Sequence, residues 1–126
     1  MNKLVGTWRL VSEAAWDAAG QPYPTVLGPM PMGVLSFTAA GRMIAVLADG
    51  RPDPIDGTRA YASYCGTYTF DGARLITHPD GASDDRFRSP QIRDVHFEGD
   101  RLTMRPPAGF VGAEGVRREY VWERVS

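Results

Sequence analysis

Apolar and polar residues alternate with a period of two through most of this chain, and no 3.6-residue pattern lasts long enough for a packed helix. Such a pattern demands strands with one buried face, so the chain must build a sheet that covers itself. "VGTWRLVSEAAW" (5–16) opens the pattern, with Trp8, Leu10 and Ser12 on one parity and Arg9, Val11 and Glu13 on the other. "GVLSFT" (33–38) and "RMIAVLA" (42–48) flank "AAG" and read as a hairpin. "YCGTYTFDGARLITH" (64–78) reads as a second, with Asp71-Gly72 at its tip. "QIRDVHFEGDRLTMRPP" (91–107) repeats the form around Gly99-Asp100, and "VRREYVWERV" (116–125) closes the chain.

The breakers fall between these runs. "QPYPTVLGPMPMG" (21–33) carries four prolines and two glycines, which exclude helix and central strand. "DGRPDPIDGT" (49–58) is a second such connection, after which Thr58 is positioned to cap a single helical turn near 58–64. The expectation is eight strands, at about 5–14, 33–38, 42–48, 64–71, 73–78, 91–98, 101–105 and 116–125. Consecutive antiparallel strands joined by tight turns favour an all-β up-and-down barrel, because closure removes exposed edges. A sandwich is the alternative, but successive hairpins suit a meander better than a Greek key. Eight strands leave an interior wide enough for side chains or one small ligand.

The 126 residues fit one domain, 1–126, and 43% hydrophobic with 23% charged residues is ordinary globular composition. A net charge of −1 provides no footprint for nucleic acid or an anionic membrane. The only cysteine, Cys65, cannot form an intramolecular bridge, and Arg9 and Glu13 interrupt the apolar start that a signal peptide would need. No run approaches the roughly 18 apolar residues that span a bilayer. The expectation is a cytoplasmic protein, monomeric or homodimeric, with neither nucleic acid nor membrane as partner.

The ends of the chain, "LVGTWRLVS" and "YVWERV", resemble the bacterial lipocalin-like domain family. "GVLSFTAAGRMIAVLADGRPD", "YCGTYTFDG" and "GDRLTM" are similar to that family's pattern in the same order. The resemblance implies an eight-stranded calyx with a central cavity that takes a small molecule. His78 and the triplet Gln91-Ile92-Arg93 sit where the family's histidine and its Gln-x-Arg pattern fall. The connection before "AYASY" is shorter than is usual in the family.

Gly6-Thr7-Trp8 resembles the lipocalin Gly-x-Trp start, with Trp8 plugging the closed end and Arg124 stacked on its indole. Parity offers a candidate site. Ile76 and His78 share one face of the fifth strand, and Gln91, Arg93, Val95 and Phe97 one face of the sixth. If Ile76, Val95 and Phe97 point inward, His78, Gln91 and Arg93 converge at one mouth of the cavity. The competing reading pairs Arg93 with Asp80, Asp84 or Asp85 in the loop 80–90, which is then either a solvated loop or a portal. Tyr61 and Tyr64 are candidate cavity residues, Tyr68 reads as core, and His96 has the solvated parity.

Two histidines of opposite parity and one cysteine do not make a zinc site, and there is no Gly-x-Ser-x-Gly elbow or phosphate loop. No cofactor and no metal are expected. "PAGFVGAEG" (107–115) reads as a flexible loop. Two functions remain in view. One is binding of a small, mostly apolar organic molecule with a polar or anionic head near Arg93. The other is a cofactor-free isomerase or cyclase, with His78 moving protons, Arg93 stabilising an oxyanion and Tyr64 donating a hydrogen bond. A weaker third is a dimerisation partner using Val11, Val121 and Phe110.

Overall fold

The computed structural model describes residues 2–54, 57–108 and 115–126. Its strands are β1 (Gly6–Trp16), β2 (Pro31–Phe37), β3 (Arg42–Asp49), β4 (Tyr61–Phe70), β5 (Arg74–Ala82), β6 (Gln91–Glu98), β7 (Arg101–Arg105) and β8 (Arg117–Arg124). Each pairs antiparallel with the next, and β8 returns to β1, so the sheet closes into an up-and-down barrel. Closure gives every strand a partner on both sides over at least part of its length, which shortens the edges that could template aggregation. The β4–β5 turn shows how the sequence enforces the meander: Asp71 accepts from the backbone N–H groups of Ala73 (2.9 Å) and Arg74 (2.6 Å), and Gly72 takes φ +103°.

The closed end is built as expected. Trp8 is 1% exposed and donates its indole N–H to the Leu4 carbonyl at 2.9 Å. The Arg124 guanidinium lies 4.2 Å from the indole centroid and donates to the carbonyls of Val5 (3.0 Å) and Lys3 (2.6 Å). Leu35, Phe37, Met43, Leu102 and Trp122 pack with Trp8 in one core, and Tyr68 joins it. Among the described residues no helix is long and apolar enough to cross a membrane.

Three local features decide which side chains face inward: two bulges and the phase of β5. A β-bulge in β1 lets Leu10 pair with Trp122 and Ser12 with Val121, so Val11 is the extra residue and parity flips after it. Glu13 and Ala15 therefore turn inward where uninterrupted alternation would have sent them outward. A second bulge, in the β4–β5 pair, carries Cys65 opposite Gly81 and Gly66 opposite Pro79, leaving Asp80 unpaired. Gly66 is required there, because a Cβ would lie 2.1 Å from the His78 carbonyl oxygen. The third concerns β5 itself: the buried residues are Leu75 and Thr77, not Ile76.

β5 runs past Pro79 to Ala82, four residues beyond the sequence-based boundary. Only Arg74–Thr77 pair with β6, so a proline farther along removes no ladder bond on that side. β4 begins at Tyr61, and no helical turn forms at 58–64. A 3-10 turn occurs instead at Asp85–Phe87 in the loop leading to β6. Val11 and Val121 are half-buried. Phe110 and residues 109–114 of the expected flexible loop lie outside the described residues.

Candidate ligand-binding cavity

Away from the Trp8 plug, the barrel holds a cavity of about 420 Å³, within the ~300–1,000 Å³ usual for small-molecule sites. Leu35, Leu47, Met104 and Trp122 supply apolar wall, with Val26, Leu27, Ala60 and Val116 from the loops and strand ends. The polar lining is Tyr61, Tyr64, Arg86, Arg93, Arg118 and Tyr120. A few polar groups on an apolar wall orient a ligand without binding it chiefly by charge.

Arg93 is the central group. Strand parity on β6 brings Gln91, Arg93, Val95 and Phe97 to the interior, as the sequence implied. Leu75 lies directly opposite Arg93 across the β5–β6 pair, and Thr77 opposite Gln91. The guanidinium donates to the side-chain oxygen of Gln91 (3.1 Å) and the Ile92 carbonyl (2.8 Å), and it forms no ion pair among the described residues. Each carboxylate that might have neutralised it is engaged elsewhere. Asp80 makes a two-pronged pair with Arg42 (2.6 and 2.9 Å), Asp84 pairs with Arg86 (3.0 Å), and Asp85 with Arg88 (2.8 Å). The Arg86 guanidinium holds the Asp84 carboxyl below the usual carboxylate range, as Arg42 does for Asp80.

Gln91 is 8% exposed and does not line the cavity; it positions Arg93. Its amide oxygen accepts from Arg93 while its amide nitrogen donates to the Ser89 carbonyl at 2.8 Å, so it ties the loop to the guanidinium. That loop covers part of the mouth. Asp84 caps the Asp85–Phe87 turn by accepting from the Arg86 backbone N–H (2.8 Å), and the turn lays Phe87 flat on Tyr64, centroids 5.3 Å apart with 12° between planes. Burial pushes the Tyr64 hydroxyl's pKa up, against an opposing effect of Arg93. The phenol therefore stays protonated, and it makes no hydrogen bond to a described residue. Tyr61 stands at the rim, 55% exposed.

His78 does not join this group. It lies on the exposed face of β5, opposite Thr67 of β4. Ile76 is the expected inward residue, but the inward set is Leu75 and Thr77, which turns His78 to the outer wall. His96 is likewise exposed.

The adjoining wall, on β8 and β1, holds further lining residues. On β8 the parity that points Arg124 at Trp8 also turns Trp122, Tyr120 and Arg118 inward. Tyr120 pairs across to Glu13, which the β1 bulge has rotated into the barrel. The Glu13 side chain is 1% exposed. It accepts from the Leu27 backbone N–H (3.0 Å) and the Tyr120 hydroxyl (3.2 Å), with Arg118 at 3.7 Å. Burial first, and then the Glu13 charge, push the Tyr120 pKa up. The signal for Arg118 and Tyr120 was present in the Trp8–Arg124 pairing. Glu13 had none, because nothing in "RLVSEAAW" announces a bulge.

The rim is fastened by Asp49, 2% exposed, which accepts from the backbone and side chain of Arg51 (3.0 Å each). Arg59 donates to the carbonyls of Asp49 and Arg51, and the Asp49 N–H to the Ala60 carbonyl at 3.0 Å. These bonds fix the approach to Tyr61. Among the described residues no cluster of His, Cys, Asp or Glu is arranged to hold a metal.

A closed eight-stranded calyx with one end plugged by a tryptophan under an arginine is joined by a sequence match to the lipocalin-like domain family over residues 5–125. The chain belongs to the lipocalin-like domain family. Comparison with curated proteins gives no match. A lipocalin-like barrel with an apolar cavity is consistent with small-molecule binding.

Proposed function

We propose that this lipocalin-like domain binds a small, mostly apolar organic molecule, seating an anionic or carbonyl head on Arg93 and its body against Leu35, Leu47, Met104 and Trp122. The observation that carries the reading is the guanidinium without a carboxylate among the described residues. A cation beside an apolar cavity is costly unless paired, and Asp80, Asp84 and Asp85 are already committed to Arg42, Arg86 and Arg88. A ligand head supplies the missing acceptor, and the Tyr64 hydroxyl, without a partner among the described residues, is a second donor.

The isomerase or cyclase alternative requires a group in the cavity that can take and return a proton. His78 was its candidate, and its exposed position on β5 supports no such role. Glu13 is covered, accepts from Leu27 N–H and the Tyr120 hydroxyl and has Arg118 beside it, which suits a structural anion better than a base that must meet substrate. Binding is therefore the favoured reading. Native mass spectrometry of freshly purified protein tests it: a co-purified organic ligand is expected in the wild type and absent from Arg93→Met. The same retained mass in both would sink the assignment of the head group.

A further inference from the structure

The polar groups of the cavity differ in what they can still offer a ligand. Arg93 offers only donors, and the Tyr64 hydroxyl, without a described partner, is available to donate. Tyr120 is constrained in the other sense. Its hydroxyl meets Glu13, whose carboxylate accepts from Leu27 N–H and neighbours Arg118. An ionised carboxylate accepts only, so the shared hydrogen is the tyrosine's. With its proton turned to Glu13, the Tyr120 oxygen presents only lone pairs to the cavity it lines.

The charges of the wall also sum simply. Arg86 is paired with Asp84 and Arg118 neighbours Glu13, which leaves the Arg93 charge uncompensated among the described residues. One uncompensated cation in a low-dielectric cavity selects one negative charge, since a second would have to be desolvated without a partner.

We propose that Tyr120, oriented by Glu13, is a specificity-determining residue, and that the ligand is an amphipathic monoanion carrying a hydroxyl or N–H group distinct from its charged head. The head sits on Arg93 and Tyr64, and the ligand's donor hydrogen points at the Tyr120 oxygen. This rests on the proposed role of Arg93. Val95, Met104 and Tyr120 lie at one level across β6, β7 and β8, and Arg93 is one inward position beyond Val95. Two strand spacings and two residues separate the Cα atoms of Arg93 and Tyr120 by roughly 11 Å. The two side chains enter the cavity from positions that far apart, so the group that meets Tyr120 is distinct from the head on Arg93, and the isomer that binds best reads their separation.

The test is isothermal titration with decan-1-ol, decanoate, the isomeric hydroxydecanoates and the matching oxodecanoates, on wild type, Tyr120→Phe and Glu13→Gln. Decanoate should bind wild type more tightly than decan-1-ol, and a mid-chain hydroxydecanoate about three- to tenfold more tightly again. Tyr120→Phe keeps the ring and removes the acceptor, so that second gain should vanish while the preference for decanoate over decan-1-ol remains. Glu13→Gln should reverse the discrimination. The new amide can still accept from Leu27 N–H, but its NH2 group donates to Tyr120, which turns the phenol proton into the cavity. The oxodecanoate should then surpass the hydroxydecanoate, a reversal that a purely structural role for Glu13 would not produce. If decanoate is preferred to decan-1-ol but no hydroxydecanoate exceeds it, the Tyr120 inference is overturned and the Arg93 reading stands. A wild type that does not prefer decanoate to decan-1-ol overturns both.

Discussion

Arg124→Met removes a guanidinium from the closed end of the barrel while keeping most of the side chain's reach over Trp8. The stacked cation, 4.2 Å from the indole centroid of a 1% exposed tryptophan, is worth about 1–2 kcal/mol where water is excluded. The carbonyls of Lys3 and Val5 lose a charged donor, at about 1 kcal/mol each for partly exposed groups. The expected loss is about 3–4 kcal/mol, or roughly 10–15 °C in Tm for a chain of 126 residues. Urea unfolding followed by tryptophan fluorescence reads this as a lower midpoint with an unchanged m-value. Arg118 and Arg124 stand near opposite ends of β8, about 20 Å apart at the strand rise, so ligand affinity should not change. A stability loss below about 0.5 kcal/mol would refute the plug as the anchor of the fold. So would a loss of ligand binding as large as that caused by Arg93→Met.

Two other perturbations follow from the rim and the loop. The Arg51 side chain pulls the Asp49 carboxyl down to about 2, below its unfolded value of roughly 3.9. Its contribution is therefore full above pH ~4 and lost as pH falls towards 2, so Asp49→Asn should destabilise at neutral pH and converge with wild type in acid unfolding titrations. Phe87→Ala removes the stack on Tyr64, worth roughly 1 kcal/mol beyond area. Stopped-flow dissociation should be faster while Tm moves little, because the loop that covers the mouth is held less firmly.

The barrel was legible in the sequence because strand parity and turn chemistry agree in most hairpins. Asp71-Gly72 sets a turn, "GVLSFT" and "RMIAVLA" alternate in register, and Trp8 with Arg124 fixes both ends of the closure. The inward set on β6 was equally legible, since Val95 and Phe97 leave Gln91 and Arg93 only one face. β5 was ambiguous: Leu75 and Ile76 are equally apolar neighbours, and only the register with β6 chooses Leu75. That choice moved His78 from the cavity to the outer wall. Glu13 was hidden for a different reason. A bulge inserts a residue without a sequence marker, and the carboxylate it buries is tolerable only because Leu27, Tyr120 and Arg118 from distant segments meet it.

The proposed role of Arg93 is to receive an anionic or carbonyl head inside an apolar calyx. The most direct measurement is isothermal titration of decanoate and decan-1-ol into wild type and Arg93→Met, with thermal unfolding of both apo proteins alongside. Wild type should prefer decanoate, and Arg93→Met should lose roughly ten- to a hundredfold of that affinity while binding decan-1-ol as before. Its Tm should be unchanged or higher, because the substitution removes a cation that the apo barrel leaves uncompensated among the described residues. Equal discrimination between the two probes in both proteins would rule out Arg93 as the seat of the head group.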